Sequence, residues 1–296
     1  MGLAAEAGFL EIPGEDYVSE GQSRKSPTHR VWYSFHPADE APADKPLAVF
    51  FNGGPGSSTA VLFGFNTTVW TVDPEVTGEE EIVENPHSWT RFANTLHIDA
   101  PGTGFSYVLP ALDGSTPTVG IDLDREAGVF WRVILRFLAR HPRLQDNAVM
   151  LVGQSYGGTR ATLMLGRALH YVDLVSESAA YRDAGLHADF VAHFAAVFPD
   201  RDPEALSPSE VAEQFSHQVL IQPVVAGDAQ WNLNQPDTSV CVSGYSPYQC
   251  DEPHVWFDSA IALAAERLTK PALMEQTTGV DPTTIEWMHA SPLSLP

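Results

Sequence analysis

Cysteine is scarce in this chain: Cys241 and Cys250 are the only two in 296 residues. A disulfide framework is excluded as the basis of the fold, and the pair stands either as one local bridge or as two thiols. Neither cysteine joins histidines at zinc-site spacing, so no metal or other cofactor is expected. Long apolar runs are missing too. No stretch reaches the roughly 18 residues that a membrane-spanning helix takes, so no span is expected. Residues 1–9 carry neither the basic start nor the apolar stretch of a signal peptide. That leaves a cytoplasmic protein or a chain without its leader. Basic residues are few, 16 against 38 acidic ones, for a formal net charge of −22. Such a surface repels phosphate backbones, which argues against nucleic acid and anionic membranes as partners. Repeats and low-complexity tracts are also absent.

What is present reads as alternating strands and helices. Residues 28–36 form an aromatic-rich strand. Residues 47–51, Leu-Ala-Val-Phe-Phe, form a continuous apolar run, the pattern of a strand buried on both faces of a parallel sheet. Residues 94–99 and 148–152 give further strands, and an apolar stretch within 217–227 gives one more. Between them, 122–140 reads as a helix, with Asp122 and Asp124 at its start. Ala127, Phe130, Trp131, Ile134, Leu135 and Leu138 fall on one face at helical spacing, which is core packing. Residues 159–171 read as a second helix. This alternation predicts an α/β sheet. After Ala180 the pattern loosens into short helices at 187–198, 208–215 and 256–268 among proline-rich connections. These read as a lid. The expected division is a core of 1–180 and 217–230 with a lid of 181–216 and 231–296.

Two motifs carry chemistry. Gly153-Gln154-Ser155-Tyr156-Gly157 is a G-x-S-x-G between a predicted strand and a predicted helix. There a serine on a strained turn presents its hydroxyl, and the glycines let the turn close. An ordinary glycine-rich β-α turn is the bland alternative. Asn52-Gly53-Gly54-Pro55-Gly56-Ser57-Ser58 follows the strand at 47–51. Acyl transfer needs backbone N–H groups aimed at the developing oxyanion. One would come from Tyr156, after the nucleophile, the other from this loop. Pro55 has no N–H, so Gly54 or Gly53 must donate. Alone, the loop could be a tight turn; beside the serine motif it supplies the complementary part.

Four motifs together resemble the serine carboxypeptidase family (peptidase family S10). Residues 52–58 resemble its N-G-G-P-G-x-S. Asn85-Pro86-His87-Ser88-Trp89 is similar to its N-P-x-S-W. Residues 99–107, Asp-Ala-Pro-Gly-Thr-Gly-Phe-Ser-Tyr, look like its D-x-P-x-G-T-G-F-S-Y, one residue shorter. Gly153 to Gly158 matches its G-E-S-Y-G-G with Gln for Glu. The resemblance covers about residues 30–230. It implies an α/β-hydrolase fold, a mostly parallel sheet flanked by helices with a helical lid. It implies hydrolysis of C-terminal peptide bonds through an acyl-enzyme on Ser155, with Gly54 and Tyr156 as oxyanion donors. Asn52, Gly53 and Gln154 would hold the substrate's terminal carboxylate. A secreted or acidic setting would follow.

Two departures qualify this reading. The family has a glutamate where this chain has Gln154, and a second near Asn66. A glutamate must be protonated to donate to a carboxylate, whereas an amide donates at any pH. The acid dependence of carboxylate binding is therefore expected to weaken. The second departure concerns the triad, which in this fold runs Ser, Asp, His. Nothing around His170, His187, His193, His217, His254 or His289 resembles the family's histidine motif. His254 or His289 with Asp228 or Asp258 are the remaining candidates. The chain is thus read as the N-terminal part of a hydrolase, without its triad Asp and His and without the fold's last strands. Its expected partners are a peptide or acyl substrate and a C-terminal complementing chain. An acyltransferase or esterase on the same scaffold, or a non-catalytic partial homologue, are the alternatives.

Overall fold

Leu47–Phe51 forms a strand in which every residue is fully buried, with both faces covered by protein. Around it the chain builds a seven-stranded sheet. A computed structural model describes residues 3–14, 16–19, 22–54, 56–62, 67–72, 82–110, 123–176, 182–215 and 217–221. The chain divides into two compact units, Met1–Pro223 and Val224–Pro296. All described residues lie in the first. The second holds Cys241, Cys250, the helix predicted at 256–268, and His254, His289, Asp228 and Asp258; these lie outside the described residues.

The strands are β1 (Glu6–Ile12), β2 (Asp16–Ser19), β3 (Gln22–Lys25), β4 (His29–His36), β5 (Leu47–Phe51), β6 (Trp70–Val72), β7 (Ile82–Glu84), β8 (Asn94–Ile98), β9 (Tyr107–Val108), β10 (Val149–Gln154) and β11 (His217–Ile221). The α-helices are α1 (Leu123–Arg140), α2 (Tyr156–Leu169), α3 (Ala184–Val197) and α4 (Pro208–Phe215). The large sheet runs β1-β4-β8-β5-β10-β11, with β9 on β4. Its first strands are antiparallel; β8, β5, β10 and β11 are parallel. Two hairpins, β2-β3 and β6-β7, stand apart from it. Strand β1 was not predicted: its sequence, Glu-Ala-Gly-Phe-Leu-Glu-Ile, buries only Leu10 and Ile12, too short an alternation to signal a strand.

One face of the sheet carries Leu47, Val49, Phe51, Leu96, Ile98 and Leu151 under α1 and α2. The other carries Ala48, Phe50 and Val152 under Leu62, Ala93 and Trp89 from the β5–β8 crossover. Phe130, Trp131, Ile134, Leu135 and Leu138 of α1 are buried as the spacing predicted. The indole Nε1–H of Trp131 donates to the Met164 carbonyl at 2.6 Å, locking α1 to α2.

Two helices lie in the stretch 181–216 that was read as lid. Helices α3 and α4 bury Phe190, Phe194 and Phe215 fully, in the same core as α1 and α2. Phe215 stands edge-on to Trp131 with ring centroids 4.8 Å apart. Burying a phenylalanine is worth about 1.5–3 kcal/mol, so three of them fasten these helices to the body. Their separation by proline-rich connections hid this: the connections are irregular, but the apolar faces have one destination.

Candidate active site

Between β10 and α2, Ser155 adopts φ 56° and ψ −122°, a conformation that L-residues other than glycine rarely take. Holding it costs about 1–3 kcal/mol, which the surroundings must supply. They do so through close backbone contact. A Cβ at Gly153 would lie 2.2 Å from the Gly157 carbonyl oxygen, and one at Gly157 would lie 2.7 Å from that of Phe51. The Ser155 N–H donates to the Ile221 carbonyl at 2.9 Å, which ties the turn to β11. The Ser155 hydroxyl makes no cap to its own helix. Tyr156 is the first residue of α2, so its N–H sits at the positive end of the helix, where negative charge is favoured.

The glycine-rich loop lies directly against this turn. A Cβ at Gly53 would stand 2.7 Å from the Ser155 Cβ and 2.8 Å from the Tyr156 nitrogen. The Gly53 N–H, read above as a donor to the substrate's carboxylate, donates here to Asn52 Oδ1 at 2.8 Å. The next peptide is oriented by its carbonyl. Gly53 O accepts from the Ser57 N–H at 3.2 Å, and in a trans peptide the Gly54 N–H then points the opposite way. Gly54 has φ 112°, so the loop requires glycine there. The Asn52 side chain also braces the loop, donating from Nδ2 to the Ser58 carbonyl at 3.1 Å. One Nδ2 hydrogen remains, and Asn52 and Gln154 line a cleft of about 300 Å³ with Phe50, Leu62, Thr67 and Ile221.

A carboxylate holds the loop from behind. Asp99 is completely buried. Its Oδ1 accepts from the Ser58 hydroxyl at 2.8 Å, the Thr59 N–H at 2.6 Å and the Ala60 N–H at 3.2 Å. Its Oδ2 accepts from the Phe105 N–H at 2.9 Å. The residue belongs to a motif quoted above, yet its tie to the glycine-rich loop was not legible, since 41 residues separate Asp99 from Ser58. Arg160 and Glu126 were missed altogether. Arg160 is 1% exposed, is held bidentately by Glu126, and donates to the Asn52 carbonyl at 2.7 Å. An arginine among the apolar residues of a predicted core helix was the available signal.

Among the described residues, no histidine or carboxylate is hydrogen-bonded to the Ser155 hydroxyl. The described late histidines are engaged elsewhere. His170 faces Asp173 on the surface, His187 faces Glu204, and His193 is buried against Gln214. His217 pairs with Met150, at the end of β10 remote from Ser155. No group of three or more metal-ligating side chains occurs among the described residues, and no described helix is long and apolar enough to cross a membrane.

Comparison with known proteins identifies the family. Residues 10–169, more than half of the chain, match the family described as serine carboxypeptidase. Carboxypeptidase S1 of Penicillium janthinellum is 35% identical over 144 residues, covering 48% of this chain and 30% of that protein. Serine carboxypeptidase S10 family member 1 of Dictyostelium discoideum is 30% identical over 129 residues, covering 43% and 29%. The matched stretch thus spans about 30% of the length of these relatives. The crystal structure of Kex1(delta)p, a prohormone-processing carboxypeptidase from Saccharomyces cerevisiae, superposes with a TM-score of 0.51. It does so at 17% identity, over 90% of this chain and 49% of that one. That likeness shows an α/β-hydrolase fold, and with the family match over more than half of its length the chain belongs to the serine carboxypeptidase family.

Proposed function

We propose that Ser155 is the nucleophile of a carboxypeptidase that releases C-terminal residues from peptides. The observation that carries this reading is the Ser155 turn, held at positive φ with the Gly53 loop pressed against its Cβ. The hydroxyl oxygen attacks the carbonyl carbon of the last peptide bond. Its proton passes to a general base and from there to the leaving amine, and water later hydrolyses the acyl-enzyme. The N–H groups of Gly54 and Tyr156 receive the oxyanion. Asn52 and Gln154, in their shared cleft, donate to the substrate's terminal carboxylate. The base and its acidic partner come from outside the described residues.

A fluorophosphonate should label Ser155, and Ser155→Ala should abolish labelling while leaving the melting temperature within a few degrees. Labelling that survives in Ser155→Ala refutes the assignment. For Gln154, KM of the complete enzyme for a blocked dipeptide should stay level from about pH 5 to 7, because an amide has no proton to lose. In Gln154→Glu, KM should rise across that range as the carboxyl ionises beside an anionic substrate. Parallel profiles for the two proteins would remove Gln154 from carboxylate recognition.

A further inference from the structure

One cation is buried beside the site without touching the reacting atoms. Arg160 lies on α2, five residues after Ser155, and is 1% exposed. Its Nε and Nη2 donate to the two oxygens of Glu126 at 3.1 and 2.8 Å. Its Nη1 donates to the Asn52 carbonyl at 2.7 Å. The guanidinium lies 4.7 Å from the centroid of Phe130 and 5.6 Å from that of Tyr156. A bidentate carboxylate fixes a guanidinium in position and plane. Nη1 therefore presents a fixed donor to the last carbonyl before the glycine-rich loop.

That carbonyl belongs to the peptide linking Asn52 to Gly53. The peptide is planar and trans, so a donor on its oxygen also fixes its N–H. The N–H meets Asn52 Oδ1. The peptide is thus held at both ends, directly before the one that carries the Gly54 N–H. Glycines at 53 and 54 give the loop little stiffness of its own. A charge pair with one ion buried, Arg160, and its partner Glu126 mostly covered is a poor source of stability, since desolvation offsets the attraction. A hydrophobic pair would fill this space at no such cost, which leaves the grip on the Asn52 carbonyl as what the charges add.

We infer that Arg160, clamped by Glu126, is a positioning residue for the oxyanion loop, acting through the Asn52 carbonyl. The inference rests on the acyl-transfer reading of Ser155. Glu126 orients Arg160, Arg160 orients the Asn52–Gly53 peptide, and the loop presents Gly54.

The test uses the full chain as wild type, Arg160→Lys, Arg160→Met and the double variant Glu126→Gln/Arg160→Met. The double variant keeps the site neutral and so guards against a fold lost to an unpaired Glu126. Two readouts are taken: fluorophosphonate labelling of Ser155, split into affinity and maximal rate, and hydrogen exchange of the amides across 52–58. The expected result is a maximal labelling rate about 10- to 100-fold lower in both methionine forms, with affinity changed less than about 3-fold. Exchange should quicken in 52–58 but not in the core of α1 and α2. Arg160→Lys should recover only part of the rate, because one ammonium cannot hold two carboxylate oxygens and a carbonyl in a planar fork. An unchanged labelling rate in a folded methionine variant overturns the inference. So does faster exchange spread evenly over α1 and α2, which marks a purely structural role. If wild type is not labelled although the part that carries its general base is present, the nucleophile reading fails separately. The exchange readout then decides alone: local quickening in 52–58 keeps the positioning role and none removes it.

Discussion

Lowering the pH from 7 to 5 is expected to remove about 4 kcal/mol of folding stability, with two buried histidines as the main cause. His97 is fully buried, stacked on Phe50 at 4.7 Å with its Nε2 2.9 Å from the Thr67 hydroxyl. Burial, with His36 nearby, lowers its pKa to about 3. His29 is 4% exposed; burial, with the Arg125 charge second, lowers its pKa to about 4. Both rings are neutral in the folded protein, whereas in the unfolded chain they take a proton near the ordinary value of about 6.5. Below that pH the unfolded state binds more protons. Stability therefore falls as the pH drops, by about 1.4 kcal/mol per unit for each histidine, until the folded pKa is reached. His36 and His193 are also lowered by burial and act in the same direction. Domains of this kind hold about 5–15 kcal/mol in total, so a loss of this size moves the midpoint plainly. Urea denaturation at pH 7, 6 and 5 measures it, and His97→Gln should flatten the slope by roughly one proton. A midpoint that is level or higher at pH 5 contradicts the prediction.

Replacing Asp99 is expected to damage fold and site together. Its two oxygens accept from three backbone N–H groups and one hydroxyl, and they join the loop at 58–60 to the turn at 99–105. A buried donor left without its acceptor costs about 1–3 kcal/mol, so Asp99→Ala should lose about 3–5 kcal/mol. Asp99→Asn does not rescue it. Both oxygens face N–H donors, so either orientation of the amide sets an NH₂ against one of them. A loss of about 2 kcal/mol or more is expected. The damage should reach the site because the Thr59 hydroxyl accepts the Asn52 N–H at 3.0 Å, and labelling of Ser155 should slow in both variants. Gly104 belongs to the same junction. A Cβ there would lie 2.1 Å from Asp99 Oδ2, so the turn closes on the carboxylate only with glycine. Urea midpoints and labelling rates check both variants; an Asp99→Asn protein within about 0.5 kcal/mol of wild type would show that the carboxylate is not the junction.

The sequence alone determined the parts whose signal is local. Strand β5 was legible because five apolar residues in a row, stopped by Gly53 and Gly54, match a short strand covered on both faces. Helix α1 was legible from its 3.6-residue spacing, and the Ser155 turn from glycines at fixed offsets between a strand and a helix. The family followed because four such motifs stand in one order. Only the tertiary structure decided what depends on distant partners. Helices α3 and α4 joined the core because Phe190 and Phe215 meet Trp131, and no local pattern announces that meeting. The Gly53 N–H proved committed to Asn52, a matter of one side chain's rotamer. Arg160 reached the Asn52 carbonyl across 108 positions, and Asp99 reached Ser58 across 41. The reason is the same in each case: periodicity and turn chemistry are written in neighbouring residues, while a buried polar group takes its partner from whichever strand end the folded sheet brings beside it.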